Sequence, residues 1–171
     1  MIKLPVLLFI VFVLNLYSKE LVALLKGVES NHILHMSYKQ SPFVCKPYGI
    51  ESVSQLLERT DVNSSCKEYL NEFRREHPQE KFFAQMHLHI QQQYSVKGLG
   101  DLCLLHLSSG SSYSEALLEE GYARIPIGIT YESFILNHRF QRALLRAKSA
   151  KTGMWSDVNV INCFLLPPKE N

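Results

Sequence analysis

The stretch Ser112 to Ser156, SYSEALLEEGYARIPIGITYESFILNHRFQRALLRAKSAKTGMWS, constrains the fold more than any other part of this 171-residue chain. Ser112 and Glu115 have the spacing of a capping box, and Gly121 supplies a left-handed stop, so the segment opens with a short helix. An extended piece follows through Ala123 and Ile125. A longer basic helix then closes on Trp155, with Phe140, Leu144 and Ala147 on a face suited to pack on a core.

The remaining elements line up ahead of it. Glu20 to Met36 reads as two extended runs around a polar turn at Glu29-Ser30-Asn31, a hairpin. Pro42 to Ile50 reads as a third strand in which Pro47 restricts pairing to an edge or a bulge. Ser54 to Arg59 fits a helical turn. Ser65 to Glu68 reads as a capping box for a helix that places Cys66, Tyr69, Leu70 and Phe73 on one face and ends at His77-Pro78. Lys81 to Gln91 is expected to enter a strand, with a looser connection to a further strand at Leu102 to Leu107. The order is three strands, a helix, two strands and two helices, without internal repeats.

Residues 1–18 are of different composition. A short basic start at Lys3 precedes an apolar run from Leu4 to Leu14, interrupted only by Pro5. The run falls short of the roughly 20 residues of a membrane span. A secretory signal cleaved near Ser18 is the expectation, with an uncleaved anchor as the alternative. Residues 19–157 then form one domain and 158–171 an apolar tail expected to pack back on it. After cleavage no integral membrane span is expected, and the localisation is periplasmic, secreted or signal-anchored.

Four cysteines in an exported chain are candidates for disulfides, and four cysteines allow three pairings. Cys66 with Cys103 is the expected bond, a loop that stabilises by about 4 kcal/mol, with Cys163 placed on Cys45. No CxxC occurs, which argues against a thioredoxin-like redox site or a zinc ribbon. Removal of the signal takes away only Lys3 and leaves a nearly neutral chain, without the excess charge of a dedicated nucleic-acid binder. Basic residues nevertheless crowd the late helix, where Arg139, Arg142 and Arg146 line one face and form the candidate binding stripe, together with the nearby Tyr131. His87 and His89 share a face if their segment is a strand, but no zinc spacing surrounds them.

Ser114-Glu115-Ala116-Leu117-Leu118-Glu119-Glu120-Gly121-Tyr122-Ala123-Arg124 resembles a characteristic segment of staphylococcal-nuclease-like (thermonuclease) domains, and Arg142 to Ser156 resembles that family's last helix with its closing Trp-Ser. Leu24 to Val28 followed by Glu29 to Ile33 resembles its first hairpin, so the likeness runs in order from about residue 20 to 157. The resemblance implies an α+β fold: an OB-type five-stranded barrel with about three helices, which the independently read element order matches. It also implies calcium-dependent hydrolysis of DNA or RNA, needing oxygen ligands, a general base and cations for the phosphodiester.

At the positions this resemblance marks, the residues depart from the chemistry. The calcium aspartate falls on Asn31, and the strand-end motif runs from Lys46 through Glu51 and Ser52 to Ser54. Lys46 keeps a charge but loses the planar fork of arginine. Glu51 keeps a carboxylate. Ser54 replaces the general-base glutamate, and a hydroxyl has no proton affinity for that task near neutral pH. Asp101 reverses the charge of the second arginine, and Ile127 and Ile129 stand where nucleotide-flanking tyrosines are expected. The catalytic candidates are therefore the family-equivalent positions Lys46, Ser54 and Asp101, and the metal candidates Asn31, Glu51 and Ser52, for Ca2+ if that site is retained. No cofactor is otherwise expected. The reading is an exported binding module that has lost catalysis, with an envelope protein favoured over nucleic acid as partner. Its alternative is a divergent Ca2+-dependent phosphodiesterase retaining Asn31, Lys46 and Glu51.

Overall fold

The structure, a computed structural model, describes residues 20–99 and 101–165, with side chains to Cys163. The signal segment lies outside the described residues. β1 (Glu20–Ser30), β2 (Ile33–Tyr38) and β3 (Ser41–Pro47) form an antiparallel meander. Its two tight turns are Asn31-His32 and Lys39-Gln40, and the second holds both residues at positive φ. β4 (Glu51–Ser52) leads into α1 (Val53–Glu58), followed by α2 (Ser64–Glu76), α3 (Pro78–Lys81) and α4 (Phe83–His87). β5 (Gln93–Leu99) and β6 (Leu102–His106) form a hairpin. α5 (Tyr113–Glu119), β7 (Ala123–Arg124), α6 (Phe134–Ala150), a 3-10 turn at Gly153–Ser156 and α7 (Val158–Leu165) complete the chain.

The five long strands close into a barrel in the order β1-β2-β3-β6-β5. β1 serves two partners, β2 through Leu24 to Ser30 and β5 through Glu20 to Leu24. Register shifts at Leu25/Gly27 and Val28/Ser30 bend it between them, as bulges do. The closing seam is the parallel pair β3 and β6, with Lys46 opposite Leu102 and Pro47 opposite Cys103. Pro47 thus ends its strand, where a missing N–H costs the ladder little. The α+β architecture is compatible with an OB-type barrel. Ala23, Leu25, Leu34, Met36, Val96 and Leu105 fill the core, and Phe73, Phe83, Tyr113, Leu117 and Phe140 bury against it from the helices.

Both capping predictions near the end hold. Ser112 and Glu115 form the reciprocal box of α5, and Gly121 turns with φ +71° against the backbone of Thr152 and Gly153, where a Cβ would meet a carbonyl oxygen at 2.3 Å. Phe140, Leu144 and Ala147 of α6 are buried as expected.

Several expectations are corrected. α2 is capped by Asn63, whose Oδ1 accepts from Cys66 N at 2.7 Å, so the box at Ser65 to Glu68 is not formed. The cap sits earlier because Asn63 reaches its N3 amide first. Tyr69 is exposed while Cys66, Leu70 and Phe73 are buried. Lys81 to Gln91 is not a strand entry: Phe83 and Ala84 bury as one helical turn, and the strand is the following Gln93 to Leu99. Tyr94 and Val96 point inward there, an alternation that Gly98 breaks off after one repeat. His87 therefore ends a helix and His89 lies in a loop, both exposed, with no shared strand face.

The disulfides are Cys45–Cys103 and Cys66–Cys163, each with Cα atoms 5.4 Å apart. They replace the expected Cys66–Cys103 and Cys45–Cys163 pairs. The β3/β6 seam brings Cys45 beside Cys103, and α7 folds back on α2, leaving Cys66 only Cys163. The pairing fits an oxidising compartment. α7 is the inner part of the apolar tail, and its Val160 is fully buried. Among the described residues no helix is long and apolar enough to cross a membrane.

Candidate functional site

The positions marked by the nuclease resemblance fall into three groups around the β1/β2 turn and the β4/α1 corner. The innermost centres on Glu80, which the sequence reading did not single out. Its carboxylate is fully buried. Arg74 Nε lies 2.9 Å from Oε2, and Asn31 Nδ2 lies 3.1 Å from Oε1 while also donating to the Glu80 carbonyl. The buried Ser54 lies beside the same carboxylate and favours its ionised form. Asn31 Oδ1 accepts from Ala84 N at 2.9 Å and from Tyr113 OH at 3.4 Å. Burial raises the Glu80 pKa, opposed by Arg74, by the hydrogen bonds from Asn31 and Arg74, and by Ser54. Burial beside Glu80 also raises the Tyr113 pKa well above its ordinary value.

The structure therefore brings Asn31 and Ser54 to one carboxylate, but that carboxylate comes from α3 and is closed to solvent. Helix α2 ends at His77, Pro78 occupies the first turn of α3, and this tight reversal aims Glu80 back under the β1/β2 turn. The local signal was available in His77-Pro78. What was not legible is that an acid in a charge-rich run would be the buried one.

The second group surrounds Glu51. β4 and β7 pair it directly opposite Arg124. Arg124 Nε and Nη2 reach Oε2 at 2.7 and 2.6 Å, and Arg59 Nη1 reaches Oε1 at 2.7 Å. Arg59 also pairs with Asp61, whose carboxyl is held down to about 2 by that guanidinium. Arg124 is buried, and Glu51 supplies it a compensating charge. Ser52 is the N-cap of α1: its hydroxyl accepts from Gln55 N, and Gln55 Oε1 accepts from Ser52 N at 2.8 Å.

The third group is open. A recess of about 300 Å³ is lined by His32, Ile33, Lys46, Gln55, Glu58 and Arg59. His32 is buried in its wall, with Nδ1 3.1 Å from Ser30 Oγ and Nε2 3.1 Å from the exposed Glu58 carboxylate. Asp101 is exposed in the β5/β6 turn and does not line the recess.

Calcium does not fit these residues. Both faces of the Asn31 amide are committed to Glu80, Ala84 and Tyr113, both oxygens of Glu51 meet guanidinium groups, and Ser52 is spent as a cap. Among the described residues no three His, Cys, Asp or Glu gather as a metal-binding group. A cation entering beside Glu51 would have to displace two arginines.

The basic stripe on α6 is largely neutralised from within. Arg139 grips Glu115 through Nε and Nη2, both at 2.7 Å, and donates to Gly110 O at 3.1 Å. Arg146 pairs with Glu119 at 2.6 Å. Arg142 lies exposed between them. Tyr131 is half-buried, its hydroxyl donating to Gly49 O at 2.8 Å and its ring set edge-on to Phe140. Ile127 is exposed on the adjoining loop, with Ile129 partly covered.

No protein-family model matches the chain, and no curated protein matches it.

Proposed function

We propose that the chain is an exported staphylococcal-nuclease-like domain that works by binding and does not hydrolyse phosphodiesters. The observation that carries this reading is the sealed carboxylate: Asn31, at the position of the family's calcium ligand, hydrogen-bonds a buried Glu80 held by Arg74, and Ser54, at the position of its general base, is buried beside them. Hydrolysis needs a base in reach of water and an open oxygen site for the metal. Neither Glu80 nor the doubly gripped Glu51 offers one.

A protein of the cell envelope is the favoured partner. Two of the three arginines of the α6 stripe already have carboxylate partners, so the phosphate-binding potential of that face is small. The disulfides and the apolar leader in the sequence support export.

One observation favours the other reading, a divergent phosphodiesterase: the open recess sets Lys46 and Arg59 near His32 and Glu58, a cationic floor beside a base. Incubation with single-stranded DNA and RNA, with and without calcium, separates the two. The binding module leaves both substrates intact in either condition. Calcium-dependent cleavage abolished by Glu51→Ala establishes the enzyme instead.

A further inference from the structure

The connection from β7 to α6 carries apolar side chains into solvent. Ile127 is 62% exposed, Phe134 81% and Ile135 71%, the last two in the first turn of α6. The connection is nevertheless firmly held. Tyr131 bonds Gly49 O, Tyr48 OH accepts from Glu132 N at 3.2 Å, Lys97 Nζ lies 2.8 Å from Glu132 Oε2, and Ser133 caps α6 by accepting from Leu136 N. These side chains are thus displayed from a fixed corner, largely uncovered by the described residues.

A second observation concerns where the described chain begins. Glu20, the first residue of β1, is register-paired with Lys97, and Lys97 reaches Glu132, two residues before Phe134. The apolar run of residues 4–14 lies upstream in the sequence, separated from Glu20 by residues 15–19. The described chain therefore begins at the same corner that displays Ile127, Phe134 and Ile135. Along the outer face of α6, His138, Arg142 and Leu145 continue the exposure, giving the apolar tip a cationic flank.

We propose that this corner is a lipid-facing surface, on which Phe134, Ile135 and Ile127 enter the outer part of a bilayer and Arg142 meets anionic headgroups. Three side chains alone give only marginal attachment, and stable peripheral binding takes two signals. The leader supplies the second where it is retained, as in the signal-anchored alternative. The inference does not depend on what the barrel binds, and a failed nuclease or partner assay leaves it untouched.

The test uses the full chain with Phe134→Trp, reconstituted with vesicles of phosphatidylcholine and phosphatidylglycerol at about 3:1 whose acyl chains carry bromine as a quencher. Met86→Trp is the control: Met86 is 53% exposed on α4, which packs at the β1/β2-turn end of the barrel, where Asn31 binds Ala84 N. The native Trp155 is buried and common to both variants. Emission from position 134 should be quenched at least threefold more than from position 86. Adding Ile127→Ser and Ile135→Ser should remove most of that difference while the melting temperature is unchanged. Equal quenching at the two positions overturns the proposal. So does a blue-shifted emission of the Phe134→Trp variant without lipid, accompanied by dimers in sedimentation, which assigns the corner to a second copy of the chain.

Discussion

Asn31 Nδ2 lies 3.1 Å from Glu80 Oε1 across 49 positions of sequence, and the contact ties the β1/β2 turn to α3 at the place where a metal ligand would have to stand open. The amide works there because it both donates and accepts, meeting a carboxylate on one side and the Ala84 N–H on the other.

Asn31→Asp introduces the acid that the nuclease resemblance leads one to expect at this position, and it is expected to harm the protein. It removes both donors to Glu80 and sets a second buried carboxylate against the first, a loss on the order of 2–4 kcal/mol. Thermal unfolding should show this, and calcium should not raise the variant's melting temperature. A rise of several degrees in calcium would reveal a latent metal site and defeat the sealed-carboxylate reading.

Glu80 also predicts a pH dependence. Its folded pKa is raised, chiefly by burial, so the ionised form costs stability. That cost is present above the folded pKa and fades as pH falls toward the ordinary glutamate value of about 4.3. Glu80→Gln stays neutral but turns one of two accepting oxygens into a donor facing Asn31 or Arg74, so the pH trend is the diagnostic: the wild type should gain stability relative to the variant as pH falls from 7 toward 4.5. Asp61 acts in the opposite sense: its folded pKa is lowered, so its stabilisation is present above the ordinary aspartate value and is lost as pH falls to about 2. Melting curves of wild type and variant across pH 4–8 check the Glu80 claim, and a wild type that loses stability relative to the variant on acidification refutes it.

The fold was legible where local rules act alone. The Ser112 cap, the Gly121 stop, the inward face of α6 and the first hairpin follow from spacing and backbone preference. Failures came where a tertiary contact decides. Phe83 and Ala84 form a helical turn because Asn31 takes the Ala84 amide, and nothing within Lys81 to Gln91 announces a partner some 50 residues away. The partners of the candidate residues were not legible. Asn31, Ser54 and Glu51 lie near one corner of the barrel, yet Glu80, Arg74 and Arg124, which fix the chemistry of that corner, lie in segments that read as ordinary polar surface or strand end. Cysteine pairing failed for the same reason, since the β3/β6 seam is invisible before the barrel is closed.

The α6 arginines should separate sharply on substitution. Arg139 is bidentate to Glu115, whose Oε2 also accepts from Ser112 N at 2.7 Å, so Arg139→Ala removes an ion pair and loosens a cap together. A loss of about 1–2 kcal/mol is expected by denaturant unfolding. Arg142 is exposed, and Arg142→Ala should stay within about 0.5 kcal/mol of the wild type. If the two variants behave alike, Arg139 is not structural, and the stripe regains its standing as a free binding face.

The two disulfides should likewise fail differently. Cys45–Cys103 lies in the core, with Cys45 fully buried and Cys103 3% exposed, and it crosses the seam where β3 and β6 share only two register pairs. Cys66–Cys163 joins α2 to α7 outside the barrel. Loop entropy alone assigns similar values to both, about 4–5 kcal/mol, and slightly more to the longer loop. Closure of the barrel reverses that order. Cys45→Ala with Cys103→Ala should open the β3/β6 seam, seen as fast hydrogen exchange at Tyr48, whose amide donates to the carbonyl of residue 103 at 2.9 Å. Cys66→Ala with Cys163→Ala should release α7 while exchange in the barrel stays slow. Peptide mapping without reductant fixes the premise, and recovery of a Cys66–Cys103 peptide from the native protein would overturn it.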